Sequence, residues 1–178
     1  MAKCAKCGIR GVGLVRAGYR FSDGYYVCVP CALELGFKKE WIGNPCFCYR
    51  YEDVKNGLNA YYQRKRADDI NRRAARMEIS PAQYYSLDQA NATEFEFKVF
   101  ARVCALLDDE GVKSIPLQVA PGANGSLLVM KDGTVLIEYK GEPDIKWIRL
   151  SDDPDNKIRF AQVGKLNGLA DRIVSICR

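Results

Sequence analysis

The chain has 178 residues, 48% hydrophobic and 28% charged, with a formal net charge of +5, the composition of a globular protein with room for one or two cores. It contains no histidine, which excludes a histidine general base, a Ser-His or Cys-His nucleophile pair, the H-E-x-x-H metalloprotease site and the H-x-E zinc deaminase site. With no run of about 18 apolar residues and no apolar export segment after the first Met, a cytoplasmic protein that does not span a membrane is expected, and its eight cysteines read as metal ligands and thiols rather than disulfides.

The first elements are built around cysteine. Cys4, Cys7, Cys28 and Cys31 form two C-x2-C pairs, the pattern of a structural zinc site with four thiolate ligands and no open position for water. Between the pairs, residues 19–27 predict a β-hairpin, because Asp23-Gly24 is a turn dipeptide between aromatic, strand-favouring flanks. A short helix is predicted from residue 32 to its stop near Gly36. Loop pair, hairpin, second pair, helix: over residues 4–38 this order resembles a treble-clef zinc finger. The resemblance implies that Cys4 and Cys7 hold one Zn2+ from a tight loop before the hairpin. Cys28 and Cys31 would hold it from the first turn of the helix, where free N–H groups and the helix dipole favour thiolate.

Three other cysteine readings stand beside this one. Cys28-Val-Pro-Cys31 alone is also the spacing of a redox dithiol, which needs a βαβ setting. Cys46 and Cys48 form a C-x-C pair without further partners to complete a second site. Cys104 and Cys177 fall in apolar helical patterns and read as core thiols.

Residues 52–78 predict a long, largely exposed helix with Gly57 as its one breaker. Val54, Leu58 and Tyr61 share one face, as do Ile70, Ala74 and Met77, and the stretch between them has little to bury. Arg64, Lys65, Arg66, Arg72, Arg73 and Arg76 make this helix the candidate surface for nucleic acid or an acidic protein surface, with Tyr61 and Tyr62 placed to stack on bases. Asp68 with Arg72 and Asp69 with Arg73 stand four apart, so internal pairing and a simply solvated face are the competing reading. Charge is uneven: residues 1–79 sum to +7 and residues 80–178 to −2.

Ser80-Pro81 marks a boundary. Three regions follow from it: a zinc-binding module at 1–50, a basic helical linker at 51–79 and an α+β domain at 80–178. In the last, Thr93-Glu94-Phe95-Glu96 matches a capping box and opens a helix ending at residues 108–111, although residues 95–103 also alternate as a strand would. Strands are predicted at 114–120, 126–130, 134–139, 145–150 and 157–163, with a hairpin turn at Asp132-Gly133, and then a helix at 166–176 carrying Leu169, Ile173 and Ile176 on one face. The fold class is α+β, mostly antiparallel with two helices in this domain, and the element order is similar to pleckstrin-homology-like folds.

Glu138-Tyr139-Lys140 resembles the E-x-K half of restriction-type nucleases. In that family Glu138 would ligate a divalent metal and Lys140 would orient the attacking water. The partner carboxylate is missing, since Asn124-Gly125-Ser126 stands where it is expected. The sequence therefore leads to a non-enzymatic zinc-binding adaptor or regulator, with an E-x-K nuclease as the alternative.

Overall fold

The computed structural model describes residues 3–10, 18–41 and 47–178, with the Ile145 side chain left aside. It divides into two compact units, Met1–Asp68 and Asp69–Arg178, each with its own apolar core.

In the first unit, β1 (Gly18–Arg20) and β2 (Tyr26–Cys28) form the expected hairpin, paired antiparallel with Gly18 opposite Cys28. The turn is wider than the Asp-Gly dipeptide alone: residues 21–25 form the loop, closed by the Gly24 amide donating to the Phe21 carbonyl, with Gly24 at φ +82°. Gly18 is required by packing, because a Cβ there would stand 2.1 Å from the Tyr26 ring.

α1 (Val29–Glu34) follows with Cys28 as its N-cap and Pro30 in its first turn, where a missing amide proton costs nothing. It ends as a Schellman motif: the Gly36 amide donates to Leu33 and the Phe37 amide to Ala32, with Gly36 at φ +91°. Tyr19, Phe21, Val27, Ala32 and Phe37 fill the first core.

The single helix expected over 52–78 is instead two. α2 (Tyr51–Val54) is one turn long, and α3 (Leu58–Arg76) begins only after Gly57, at φ +102°, has turned the chain. Glycine's freedom in that region decides the matter, because no other residue type adopts it cheaply. Val54, Leu58 and Tyr61 pack on the first core, and Ile70, Ala74 and Met77 on the second, as their spacing predicts. Between these triplets residues 62–68 are all exposed.

After the end of α3, the second unit continues with a helix that the sequence did not predict. α4 (Pro81–Gln89) starts at Ser80-Pro81 with a full capping box, Ser80 accepting from the Gln83 amide and Gln83 accepting from the Ser80 amide. α5 (Glu94–Asp109) has the predicted Thr93–Glu96 capping box and is a helix, not a strand. Its buried set, Val99, Phe100, Val103, Cys104, Leu106 and Leu107, has helical period, which overrides the short alternation in residues 95–103.

Then β3 (Gln118–Pro121), β4 (Leu127–Lys131), β5 (Thr134–Glu142), β6 (Ile145–Leu150) and β7 (Ile158–Arg159) form one antiparallel sheet in that order. The β4–β5 turn is the expected two-residue one. Asp132 at φ +51° and Gly133 at φ +80° both have the positive φ that a type I′ hairpin demands. Val129, Ile137, Tyr139 and Ile148 are fully buried, while Glu138, Lys140 and Arg149 occupy the alternate face. α6 (Ala170–Cys177) closes the unit after a 3-10 segment at Val163–Leu169. Leu166 from that segment and Ile173, Val174 and Cys177 from α6 face the core, with Leu169 and Ile176 only partly covered. The fold is α+β.

Candidate metal centre and basic helix

Three local structures bring the four cysteines together. The first pair lies on a knuckle in which the Cys4 amide donates to the Ile9 carbonyl and the Gly8 amide to the Cys4 carbonyl, with Gly8 at φ +75°. The Ala5 amide donates to the Tyr26 carbonyl, which fastens this knuckle to β2. The second pair sits at the start of α1, Cys28 as cap and Cys31 in the first turn.

All four sulfurs lie within 4.8 Å of one another, a group that can hold a metal ion. Among the described residues it is the one such cluster of three or more ligand-bearing side chains. Cys4 and Cys31 are buried, Cys28 is half-buried and Cys7 is exposed.

The sulfurs are polarised unequally. Burial works to raise the Cys4 thiol, but the amides of Cys7 and Cys28 hydrogen-bond its Sγ at 3.5 and 3.4 Å and bring it down to about 6. Cys28 and Cys31 are both pushed up, first by burial and then by neighbouring sulfurs. A lone redox thiolate at the helix start needs the opposite shift. Four sulfurs this close cannot all shed their protons without a cation among them, and a divalent metal supplies that charge. Cys48 is exposed, Cys46 lies outside the described residues, and Cys104 and Cys177 are buried in the second core.

Arg64, Lys65, Arg66, Arg72, Arg73 and Arg76 are all exposed along α3. Two of them bond neutral oxygens and one an acid. Arg64 donates to the Asp53 carbonyl and Arg73 to the Tyr84 hydroxyl at 3.5 Å, while Arg72 pairs with Asp69 three residues back instead of Asp68. Arg73 thus makes its hydrogen bond to a phenol, although Asp69 and Asp88 still act on its charge, and neither Lys65 nor Arg76 has an ion pair among the described residues. Tyr61 is half-buried with its ring edge-on to Tyr49, centroids 5.7 Å apart. Tyr62 is 49% exposed and shares a hydrogen bond with the Tyr49 hydroxyl, so it is the more available of the two rings.

Glu138 and Lys140 share one face of β5, but both are engaged. Glu138 accepts from Ser126 Oγ at 2.6 Å and pairs with Arg149 across the strand. Lys140 donates to the Asn124 carbonyl at 2.6 Å and pairs with Glu142 at 3.0 Å. In the stretch Asn124-Gly125-Ser126, where the nuclease pattern expects a metal-binding carboxylate, the Ser126 hydroxyl lies within hydrogen-bond distance of Glu138 and of the Ala123 carbonyl, at 2.6 and 2.8 Å.

The chain matches no known protein family, no characterised protein and no solved structure. No described helix is long and apolar enough to cross a membrane.

Proposed function

We propose that this protein is a non-enzymatic zinc-binding adaptor that binds nucleic acid through α3. The observation that carries the reading is the convergence of four cysteine sulfurs within 4.8 Å in a unit that also begins the basic helix. Thiolates select soft or borderline cations, and four of them with no water position favour zinc in a structural role. The order of knuckle, hairpin and helix start supports a treble-clef-like module, with Cys4, Cys7, Cys28 and Cys31 as ligands.

Support for the partner comes from charge and exposure. Residues 62–68 are exposed on every side of α3, so that stretch is not spent on a core. Arg64 bonds a neutral carbonyl oxygen and so keeps its charge for phosphate, whereas Arg73, bonded to a phenol, also lies in the field of Asp69 and Asp88. A neutralised phosphate releases its condensed counterion, which gives the binding a strong salt dependence.

The test is a titration of zinc-loaded protein with labelled single-stranded and duplex nucleic acid at several salt concentrations. Affinity is expected to fall with salt, with a log–log slope of about −0.7 to −0.9 per phosphate contacted. Reversing Lys65 and Arg66 to Glu is expected to weaken binding by about tenfold or more at low salt. Binding that is absent, or that ignores both salt and charge reversal, overturns the nucleic-acid reading.

A further inference from the structure

The four sulfurs of the metal centre differ in their access to water. Cys4 and Cys31 are 2% and 5% exposed, and Cys4 Sγ is held by the amides of Cys7 and Cys28. Cys7 is exposed and Cys28 half-buried, and their sulfurs touch at 3.8 Å. The cluster therefore has an inner pair that belongs to the first core and an outer pair that faces solvent. Each outer sulfur comes from a different C-x2-C pair, Cys7 from the knuckle and Cys28 from the end of β2. Two residues before each of them, the Ala5 amide donates to the Tyr26 carbonyl at 2.8 Å. That bond holds the two backbones side by side.

Coordination to a metal keeps a cysteine as thiolate outright, and thiolate is the form that reacts with oxidants. Among sulfurs that are all thiolate, access decides which one reacts first. An accessible thiolate with a second sulfur in contact is the arrangement of a redox-sensing cysteine and its resolving partner. Cys7 fills the first role and Cys28 the second.

We infer that Cys7 and Cys28 form a peroxide-responsive pair that closes into a disulfide and gives up the metal. The inference rests on the zinc reading above and adds a reaction to a site that reading leaves structural. The Cys7 thiolate attacks one oxygen of hydrogen peroxide, the O–O bond breaks, and Cys7 becomes a sulfenic acid as hydroxide leaves. The Cys28 thiolate then attacks the Cys7 sulfur, the S–O bond breaks, and a second hydroxide leaves as the S–S bond forms. Two thiolates lose two electrons in total, peroxide gains them, and buffer protonates the two hydroxides. Cys4 and Cys31 then remain as half of the closed four-thiolate shell. The new bond ties the knuckle to β2 where the metal had tied them, so the path of the chain is kept and a dithiol reductant regenerates the ligands by exchange.

The experiment treats the full zinc-loaded chain with hydrogen peroxide. Zinc release is followed with a chromophoric chelator weak enough to leave untreated protein loaded. Disulfides are mapped by mass spectrometry after denaturation, alkylation and trypsin. Trypsin separates Cys4, in residues 4–6, from Cys7, in residues 7–10, and leaves Cys28 and Cys31 together in residues 21–38. Fragmentation at Val29-Pro30 parts those two.

One zinc is expected for each Cys7–Cys28 disulfide, and this linkage should exceed any other by about tenfold, because exchange follows access to the sulfurs. Dithiothreitol followed by zinc should restore one zinc per chain. Cys48→Ser should release zinc at the wild-type rate, which excludes a route through that exposed thiol. Zinc that stays bound under peroxide, zinc lost with a different disulfide or with sulfinic acid at Cys7, or a Cys48→Ser protein that holds its zinc overturns the inference and leaves the metal centre standing. A reduced chain that binds no zinc overturns the metal reading and this one together.

Discussion

Cys4→Ser is expected to abolish stoichiometric zinc binding and, with it, the fold of the first unit. Structural zinc supplies on the order of 10 kcal/mol of folding free energy in isolated fingers, and the first core is built directly on the ligands. Cys4 and Cys31 are part of that core, with 2% and 5% exposure. Loss of Cys4 also removes a hub of the local network, since its Sγ accepts from two backbone amides. Cys7 is exposed, so Cys7→Ser should cost metal affinity with less collateral loss of packing. Metal analysis should give one zinc per wild-type chain and none for Cys4→Ser. A strong chelator should have the same effect as the substitution, with near-ultraviolet circular dichroism and limited proteolysis showing that residues 69–178 stay folded.

The pH dependence has a definite sign. Each thiol must lose its proton to bind, so protons compete with metal, and zinc affinity falls as pH falls. The stability of the first unit should follow zinc occupancy downward in acid. A Cys4→Ser protein that keeps one tightly bound zinc and a folded first unit would remove these ligands from the account.

The second large effect is expected at Glu96, a carboxylate 4% exposed. It joins two elements by accepting from the Thr93 amide at 2.8 Å, from Thr93 Oγ1 at 3.0 Å and from the Gly141 amide at 2.9 Å. Glu96→Ala removes half of the α5 capping box and leaves the buried Gly141 amide without its acceptor, a combined cost of about 2–4 kcal/mol. In a unit of this size, that lowers the Tm on the order of 10 °C.

Gly141→Ala offers an independent approach to the same contact. A Cβ there would stand 2.7 Å from Glu96 Cγ and 2.7 Å from Phe95 Cδ1, so the carboxylate must move and the bond must break. The two substitutions should therefore be markedly less than additive, because they destroy one shared interaction. Chemical denaturation of the two single variants and the double variant measures this. Full additivity, or a Glu96→Ala cost well below 1 kcal/mol, would show that the bridge carries little.

How far the sequence disclosed this arrangement depends on how local each signal is. The hairpin at Asp23-Gly24, the type I′ turn at Asp132-Gly133 and the Thr93–Glu96 box were readable because a few adjacent residues decide the backbone there. α4 escaped although Ser80 and Gln83 carry the same kind of box as Thr93 and Glu96. Ser80-Pro81 reads as a boundary between regions, and proline in a first turn equally marks the beginning of a helix. Gly57 was recognised as a breaker, yet apolar spacing on both sides of it disguised two helices as one.

The metal cluster was legible because C-x2-C spacing encodes its own geometry. The contact of Tyr84 with Arg73 and Phe97 was not. It requires Tyr84 from the missed helix to meet Phe97 and α3, and no short-range pattern contains that meeting. Likewise the pairing of Asp69 with Arg72 and of Arg73 with Tyr84 follows from side-chain reach in three dimensions, where a four-residue rule chose otherwise.

Burial of Cys104 and Cys177 gives the molecule an internal clock. Their thiols, raised by burial to about 12 and about 11, present almost no thiolate to an alkylating reagent while the second core is closed. Their modification must wait for that core to open, so labelling rates read by mass spectrometry report the opening frequency of residues 69–178. Cys7 and Cys28 are open to solvent to different degrees and are shielded chiefly by metal in this reading. One alkylation time course on a single sample should therefore resolve into a zinc-indifferent fast phase at exposed Cys48, a zinc-dependent phase at Cys7 and Cys28, and a zinc-indifferent slow phase at Cys104 and Cys177. Each unit would then keep its own time within the same chain.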